Sequence, residues 1–142
     1  MNRLNIITLG VKDMKRSLQF YKGLGFETEV QEEDKLSIVF FKNEGTRLAI
    51  YPLEALAIDI SLEDPPKKTK GFTGITIAYN VKEKEEVDAT IDLAVSLGGT
   101  LLKKPEQVFW GGYSGYFSDP DGYVFEVAYS ESFEFDANNM IK

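Results

Sequence analysis

The sequence predicts an α+β fold built from two βαβββ modules, and three observations predict it. Residues 5–30 and 74–104 share one plan of strand, polar pair, amphipathic helix and glycine stop. VKD at 11–13 aligns with VKE at 81–83, and each helix runs into a Leu-Gly pair. Three β-like segments follow each helix, with a hairpin turn between the last two. Because caps and turns repeat along with the periodicity, internal duplication explains the pattern better than a chance α+β alternation.

The first module is expected to cover residues 4–51. Its first strand ends at Val11, and Asp13 is the predicted N-cap of a helix that runs to about Tyr21. Gly25 then marks the turn out of the helix. The β-like segments that follow are FETEVQ (26–31), KLSIVFFKN (35–43) and TRLAIYP (46–52), the last two joined by a turn at 43–45.

The second module is expected to cover residues 74–129. Its first strand ends at Val81, and a helix begins after Glu83 and stops at Gly98. The apolar face predicted for this helix consists of Val87, Ile91, Ala94 and Val95. The later β-like segments are TLLKKPEQ (100–107), SGYFSDP (114–120) and YVFEVAY (123–129), with a hairpin turn at 120–122.

Two stretches lie outside the modules, and we expect the whole chain, residues 1–142, to form one domain. Residues 52–73 are the predicted linker, in which Pro52 starts a short helical turn and KKTKG follows a Pro-Pro pair as an exposed loop. The tail at 130–142 is expected to be either a docking helix or a frayed end.

Composition excludes several classes of function. The chain has 142 residues, a net charge of −7 and a pI near 4.7, which argues against nucleic acid and anionic membranes as partners. It contains no histidine and no cysteine, so it has no disulfide, no thiol nucleophile and no Ser-His-Asp triad. No secretory or membrane-spanning segment is evident, and we expect a cytoplasmic protein whose acidity weakly favours a cationic small ligand.

Two segments resemble the vicinal oxygen chelate superfamily, which includes glyoxalase I, extradiol dioxygenases, fosfomycin-resistance enzymes and bleomycin-resistance proteins. They are ITLGVKDMKRSLQFYKGLGF at 7–26 and FSDPDGYVFEVAY at 117–129. The resemblance implies a glyoxalase-like fold, in which paired βαβββ modules form an open, curved, barrel-like sheet around a metal-binding cleft. It also implies a homodimer.

The resemblance places four metal ligands on equivalent strands, and the residues at those positions can be identified here. They are Ile6, Ala49, Thr76 and Glu126. Isoleucine and alanine have no donor atom, and a neutral threonine hydroxyl is a poor ligand for a first-row divalent ion. One carboxylate and one hydroxyl do not make a four-ligand site. We therefore expect neither a metal nor another cofactor.

Glu126 has two interpretations. As a functional group it is a lone carboxylate in a concave cleft, acting as a base or as the counter-ion of a cationic ligand. As a structural residue it is a strand carboxylate hydrogen-bonded to a neighbour such as Thr76.

An aromatic, glycine-broken run at 108–117 suggests a second part of the site. Glycines beside aromatic residues let a loop bring rings close to a ligand, so the run predicts a stacking wall for a planar or cationic molecule. The predicted ligand-binding residues are Phe109, Trp110, Tyr113, Tyr116, Tyr51 and Thr76. In the alternative interpretation Phe109 and Phe117 belong to the core and the tyrosines border a turn.

Three functions are compatible with these patterns. The first is metal-free binding of a small aromatic or cationic organic molecule, as in bleomycin-resistance-type proteins. The second is a glyoxalase-like lyase or isomerase, or a dioxygenase, that uses a non-standard metal site or Glu126 as acid or base. The third is a dimeric scaffold or regulatory module without small-molecule chemistry.

Overall fold

The structure, a computed structural model, describes residues 2–31 and 37–142. The chain divides into two compact units, Met1–Phe72 and Thr73–Lys142, whose boundary lies in the predicted linker. The elements are β1 (Ile6–Val11), α1 (Met14–Gly23), β2 (Val39–Phe40), β3 (Arg47–Pro52), α2 (Leu53–Ile60), β4 (Thr76–Val81), α3 (Lys84–Ser96), β5 (Thr100–Gln107), β6 (Tyr113–Ser118) and β7 (Val124–Tyr129). No helix among the described residues combines the length and the apolar character needed to cross a membrane.

The first unit is a three-stranded sheet in the order β1-β3-β2, with β1 parallel to β3 and β2 antiparallel to it. Asp13 caps α1 as predicted, since its carboxylate accepts a hydrogen bond from the Arg16 N–H at 3.0 Å. The strand predicted over 26–31 is wrong, because pairing there is limited to an isolated bridge from Glu27 to Lys42. Positions 35 and 36 of the next predicted segment lie outside the described residues.

The two faces of the first sheet are covered by different helices. Tyr21 of α1 is fully buried, and its ring packs against Phe41 with centroids 5.5 Å apart. On the other face, a Cβ added to Gly10 would lie 2.7 Å from Leu53 Cδ1 of α2. Helix α2 has eight residues, so the short turn predicted after Pro52 is a longer helix. Gly10 therefore lets α2 approach the sheet closely.

The second unit has the strand order β4-β7-β6-β5, with one parallel pair at β4 and β7. A capping box joins Glu83 and Glu86 at the start of α3, which confirms the predicted beginning of that helix. Three of the four residues predicted for its apolar face are buried: Val87, Ile91 and Ala94. The prediction for Val95 is wrong, because the residue is 40% exposed and lies one position beyond the buried stripe.

Residues 130–142 form neither a docking helix nor a frayed end, so both predictions for the tail are wrong. The segment folds back on itself through a bridge between Phe135 and Ile141, and we call it the C-terminal hook. The Asp136 carboxylate accepts hydrogen bonds from the N–H groups of Asn138 and Met140. Such local side-chain to backbone bonds favour turns over a helix.

The strand registers repeat residue by residue between the two units. In the first unit Thr8 of β1 is the register partner of Ala49 in β3, and in the second Ala78 of β4 is the partner of Glu126 in β7. The registers thus make Ala49 the equivalent of Glu126, as predicted from the sequence. A single domain over the whole chain stays a prediction.

Candidate functional site

Strand β6 shows which face of the second sheet is covered by helix α3. A Cβ added to Gly115 would lie 2.6 Å from Ile91 Cδ1, and the Tyr113 hydroxyl donates to Asp88 Oδ1 at 3.2 Å. Because side chains alternate along a strand, Ser114 and Tyr116 lie on the opposite face. We call that opposite face, which also carries Thr76, Ala78, Glu126 and Ala128 by register, the far face.

Glu126 and Tyr116 form a polar pair on the far face. They are directly opposed across β6 and β7, both are half-buried, and the phenol donates to the carboxylate. Burial raises the pKa of Tyr116 above its ordinary value, and the hydrogen bond to Glu126 and the charge of its carboxylate raise it further. The pair therefore places the side chain of Glu126 beside a phenol that is neutral at neutral pH.

Thr76 lies on the same face, but the hydrogen bond to Glu126 comes from Tyr116. It is exposed and stands opposite Val124, one same-face step from the pairing of Ala78 with Glu126. Glu126 is thus a hydrogen-bonded strand carboxylate whose partner is Tyr116 and not the expected Thr76, and its functional role stays a prediction.

The first unit has no metal-coordinating side-chain atoms at Ala49 and Ile6, the positions equivalent to Glu126 and Thr76. Ala49 is fully buried and Ile6 is exposed, with Arg47 as its register partner. Ile6 and Arg47 also line one depression on this unit. Tyr51, another predicted ligand-binding residue, is half-buried on the face that carries Ala49 and Gly10.

The donor set does not fit a metal ion of the kind that the resemblance implies. Among residues 2–31 and 37–142, no group of three or more histidine, cysteine, aspartate or glutamate side chains is placed to hold one. A four-coordinate site needs several N, S or O donors around one point, and the other three implied ligand positions, Ile6, Ala49 and Thr76, supply carbon or a single hydroxyl.

The aromatic hairpin between β5 and β6 places its rings in different surroundings. Trp110 folds over Gly112, where an added Cβ would lie 1.8 Å from the indole Cζ3, and remains 42% exposed. Phe109 is 101% exposed, so the interpretation of Phe109 as a core residue is wrong. Phe117 is buried and stacks on Phe125 with centroids 5.2 Å apart, so the same interpretation is confirmed for Phe117.

The structure brings some of the predicted ligand-binding residues together and separates others. Glu126, Tyr116 and Thr76 share the far face. Because Tyr113 points to the opposite face, the alternation of side chains places Gly112 on the far face, and Trp110 lies over Gly112 on the same side. Gly112 precedes Tyr116 by four residues, or roughly 13 Å along the strand. Tyr113 points to α3, where the Lys84 Nζ lies 4.4 Å from the centre of its ring.

Sequence reasoning did not identify Phe133 as part of this region. Its ring stacks on Trp110, with centroids 6.2 Å apart and planes at 27°. The motif ESFEF at 131–135 contains two aromatic residues in an otherwise polar tail, which is the sequence pattern that could indicate an aromatic contact there.

Titration of the tyrosines tests the geometry of the polar pair. We expect Glu126→Gln to lower the pKa of Tyr116, because the substitution removes the negative charge that opposes the tyrosinate. The raised folded pKa of Tyr116 also means that the stabilisation it provides is present below the unfolded pKa of about 10 and is lost as pH rises through the folded value. Ultraviolet tyrosinate absorbance of the wild type and of Tyr116→Phe identifies this group among the seven tyrosines.

Exposed Glu63 provides the control for that titration. Glu63→Gln is expected to leave the tyrosine titration unchanged. An identical curve for Glu126→Gln and the wild type would show that the two side chains do not interact in solution.

Comparison with known families gives a match over nearly the whole chain. Residues 3–127 match the family model described as Glyoxalase/Bleomycin resistance protein/Dioxygenase superfamily. The chain is 30% identical over 128 residues to the metallothiol transferase FosB of Shouchella clausii (strain KSM-K16), an alignment that covers 89% of this chain and 80% of that protein.

Solved structures show the same fold. A glyoxalase-related enzyme from Fulvimarina pelagi is 27% identical, covers 100% of this chain and 98% of its own, and superposes with a TM-score of 0.87. A lactoylglutathione lyase from Agrobacterium tumefaciens is 20% identical, with a TM-score of 0.63 and coverage of 91% and 94%, and shows similarity of fold alone. The predicted superfamily and glyoxalase-like fold are confirmed.

Proposed function

The chain belongs to the Glyoxalase/Bleomycin resistance protein/Dioxygenase superfamily, and from that premise we propose that it binds a small aromatic or cationic organic molecule without a metal ion. The observation that carries this proposal is the pairing of Glu126 with Tyr116 on the far face. The resemblance implies a metal ligand at this position, and here the Glu126 carboxylate accepts a hydrogen bond from the Tyr116 phenol.

The Glu126–Tyr116 pair favours a cationic ligand. Glu126 supplies the counter-ion, and the Tyr116 phenol beside it, whose pKa is raised, adds no second negative charge at neutral pH. A half-buried carboxylate attracts a cation more strongly than one in bulk water, because the effective dielectric constant is lower. The net charge of −7 adds a weak attraction for cations at long range.

Trp110 supports aromatic binding at the other end of the same face. Indole is the best aromatic partner for a cation and also stacks on planar rings. The small buried side chains of Ser114 and Ala128 lie between Trp110 and the polar pair. A ligand with a ring and a positive charge separated by roughly 10 Å would reach both groups.

A second candidate is an enzyme in which Glu126 acts as general acid or base, with or without a non-standard metal site. The similarity to a metallothiol transferase favours this candidate. A carboxylate next to a phenol is a chemically reasonable pair for moving a proton at the reacting atom of a substrate. Turnover of a glyoxalase-type substrate that Glu126→Gln abolishes would establish this candidate in place of simple binding.

We also propose that the protein is a homodimer, as the resemblance implies. Apolar side chains exposed on the first unit, including Phe40 and Ile38 at the edge of its sheet, support an interface with another chain. Light scattering coupled to gel filtration is expected to give twice the mass of one 16.0 kDa chain.

A thermal-shift screen tests the proposed function. The screen compares the aromatic cation N-methylquinolinium with neutral quinoline of nearly the same shape, and includes cationic and aromatic antibiotics. A ligand at about a hundred times its Kd stabilises the folded state by about 2.7 kcal/mol, which raises the melting temperature by several degrees. Cations are expected to stabilise more than neutral analogues. A screen in which no compound raises the melting temperature would favour the scaffold function instead.

A further inference from the structure

The C-terminal hook places an aromatic ring on the tryptophan to which the proposed function assigns ligand stacking. Phe133 and Trp110 form an offset stack with centroids 6.2 Å apart and planes at 27°. The same indole lies against the backbone of Gly112. We infer that Phe133 is an internal occupant of the Trp110 stacking site, and that an aromatic ligand competes with it.

The spacing of the two rings excludes insertion of a ligand between them. A third ring inserted between two others needs about 3.5 Å of separation from each, or about 7 Å between the outer planes. The centroids of Trp110 and Phe133 are closer than this, and their offset makes the planes closer still. A ligand that stacks on this surface of Trp110 therefore takes the position of Phe133 and does not extend a pre-formed wall.

The contacts that join the hook to the rest of the second unit include exposed ones. Within the hook Phe133 meets Phe135 edge to face at 6.5 Å, and from outside it the Lys82 Nζ lies 5.7 Å from the centre of the Phe135 ring. Lys82 also donates to the Asn139 side-chain oxygen at 2.5 Å. Exposed cation–π contacts and surface polar contacts are individually weak, so the hook can leave Trp110 at a modest cost.

The hook keeps its own shape by hydrogen bonds that do not depend on Trp110. The Asp136 N–H donates to the Met140 carbonyl at 2.9 Å, and the Lys142 N–H donates to the Glu134 carbonyl at 2.9 Å. Phe133 precedes this hydrogen-bonded part, and its N–H donates to the Ser130 carbonyl at 3.1 Å. Residues 134–142 can therefore move as one piece about the residues between Ser130 and Phe133. Phe133 can then leave Trp110 without unfolding of the hook.

This inference rests on the proposed function for its ligand, but the shielding of Trp110 can be measured without one. Trp110 is the only tryptophan in the chain, so its fluorescence reports this site alone. The variants are Phe133→Ala, Phe133→Leu, which keeps an apolar side chain without the aromatic stack, and the control Phe72→Ala at a 70% exposed phenylalanine. Circular dichroism and the melting temperature verify that each full-length variant is folded.

Two measurements then test the competition. Quenching of Trp110 by acrylamide is expected to increase in Phe133→Ala, to be intermediate in Phe133→Leu and to be unchanged in Phe72→Ala. Calorimetric titration with N-methylquinolinium is expected to give a Kd about two- to tenfold lower for Phe133→Ala than for the wild type, because the ligand no longer displaces a stacked ring.

Several results would overturn the inference, and they are separable from failure of the proposed function. Equal quenching in the wild type and in Phe133→Ala would show that the hook does not cover Trp110 in solution. Increased quenching with an unchanged or higher Kd, or with no binding to any variant, would show that Phe133 is not a competitor. Failure of the proposed function is recognised separately, by a broader thermal-shift screen that finds no ligand.

Discussion

Replacing Glu126 with glutamine is expected to weaken the binding of 6-phenylhexylammonium, whose ring and ammonium group are far enough apart to reach Trp110 and Glu126 together, by about ten- to hundredfold. A hydrogen bond or contact to a charged group contributes about 1.5–3 kcal/mol, and each 1.4 kcal/mol is a factor of about ten in Kd. The substitution keeps the shape of the side chain and leaves an amide oxygen that can accept from Tyr116, so the loss is one of charge. Calorimetric titration of the wild type and the variant measures it.

The neutral alcohol 6-phenylhexanol and exposed Glu63 provide the controls for this experiment. Binding of 6-phenylhexanol is expected to change by less than about threefold in Glu126→Gln, since the alcohol has no charge to interact with the carboxylate. Glu63→Gln, at an exposed position in the linker, is expected to bind both compounds like the wild type. Equal losses for the cation and the neutral alcohol would indicate that Glu126 supports the structure of the site and is not a counter-ion.

Truncation of Ile91 to alanine is expected to destabilise the second unit by about 2–5 kcal/mol. Ile91 is 1% exposed on α3, and it packs directly over Gly115 of β6. Removing its side chain leaves a cavity between the helix and the sheet that neighbouring groups fill only in part. The free energy of unfolding, measured by urea titration with circular dichroism, tests this.

Leu93 provides a matched control on the same helix. It is 42% exposed, so Leu93→Ala is expected to cost much less than the buried truncation. Similar losses for the two variants would contradict the assignment of the faces of α3, and with it the assignment of Tyr116 and Glu126 to the far face.

The duplicated fold was accessible from sequence because each module combines several independent signals. Val11 and Val81 end equivalent strands, and the glycines at 45 and 122 adopt positive φ in equivalent turns. The strand predicted over 26–31 did not form beyond one bridge, although its alternation of apolar and polar residues resembles a strand. Strand propensity depends on a pairing partner, and the sequence does not show one.

The candidate site was accessible only in part. The hairpin motif identified Glu126 and its equivalent Ala49, but pattern alone did not show that Tyr116 lies directly opposite Glu126. Nor did it separate Tyr113 from Tyr116, since both belong to the same aromatic run and only strand alternation places them on opposite faces. Phe133 was missed because its partner Trp110 is 23 positions away in a different hairpin, and such contacts require the fold.

Metal content is the most direct test of the proposal that Glu126 belongs to a metal-free site. The measurement is equilibrium dialysis of the wild type and of Glu126→Gln against Mn²⁺, Fe²⁺, Ni²⁺ and Zn²⁺, followed by elemental analysis. Because Ile6 and Ala49 have no donor atoms and Thr76 has a neutral hydroxyl, both proteins are expected to retain far less than one metal ion per chain. Retention of about one ion per chain by the wild type, lost in Glu126→Gln, would contradict the proposal.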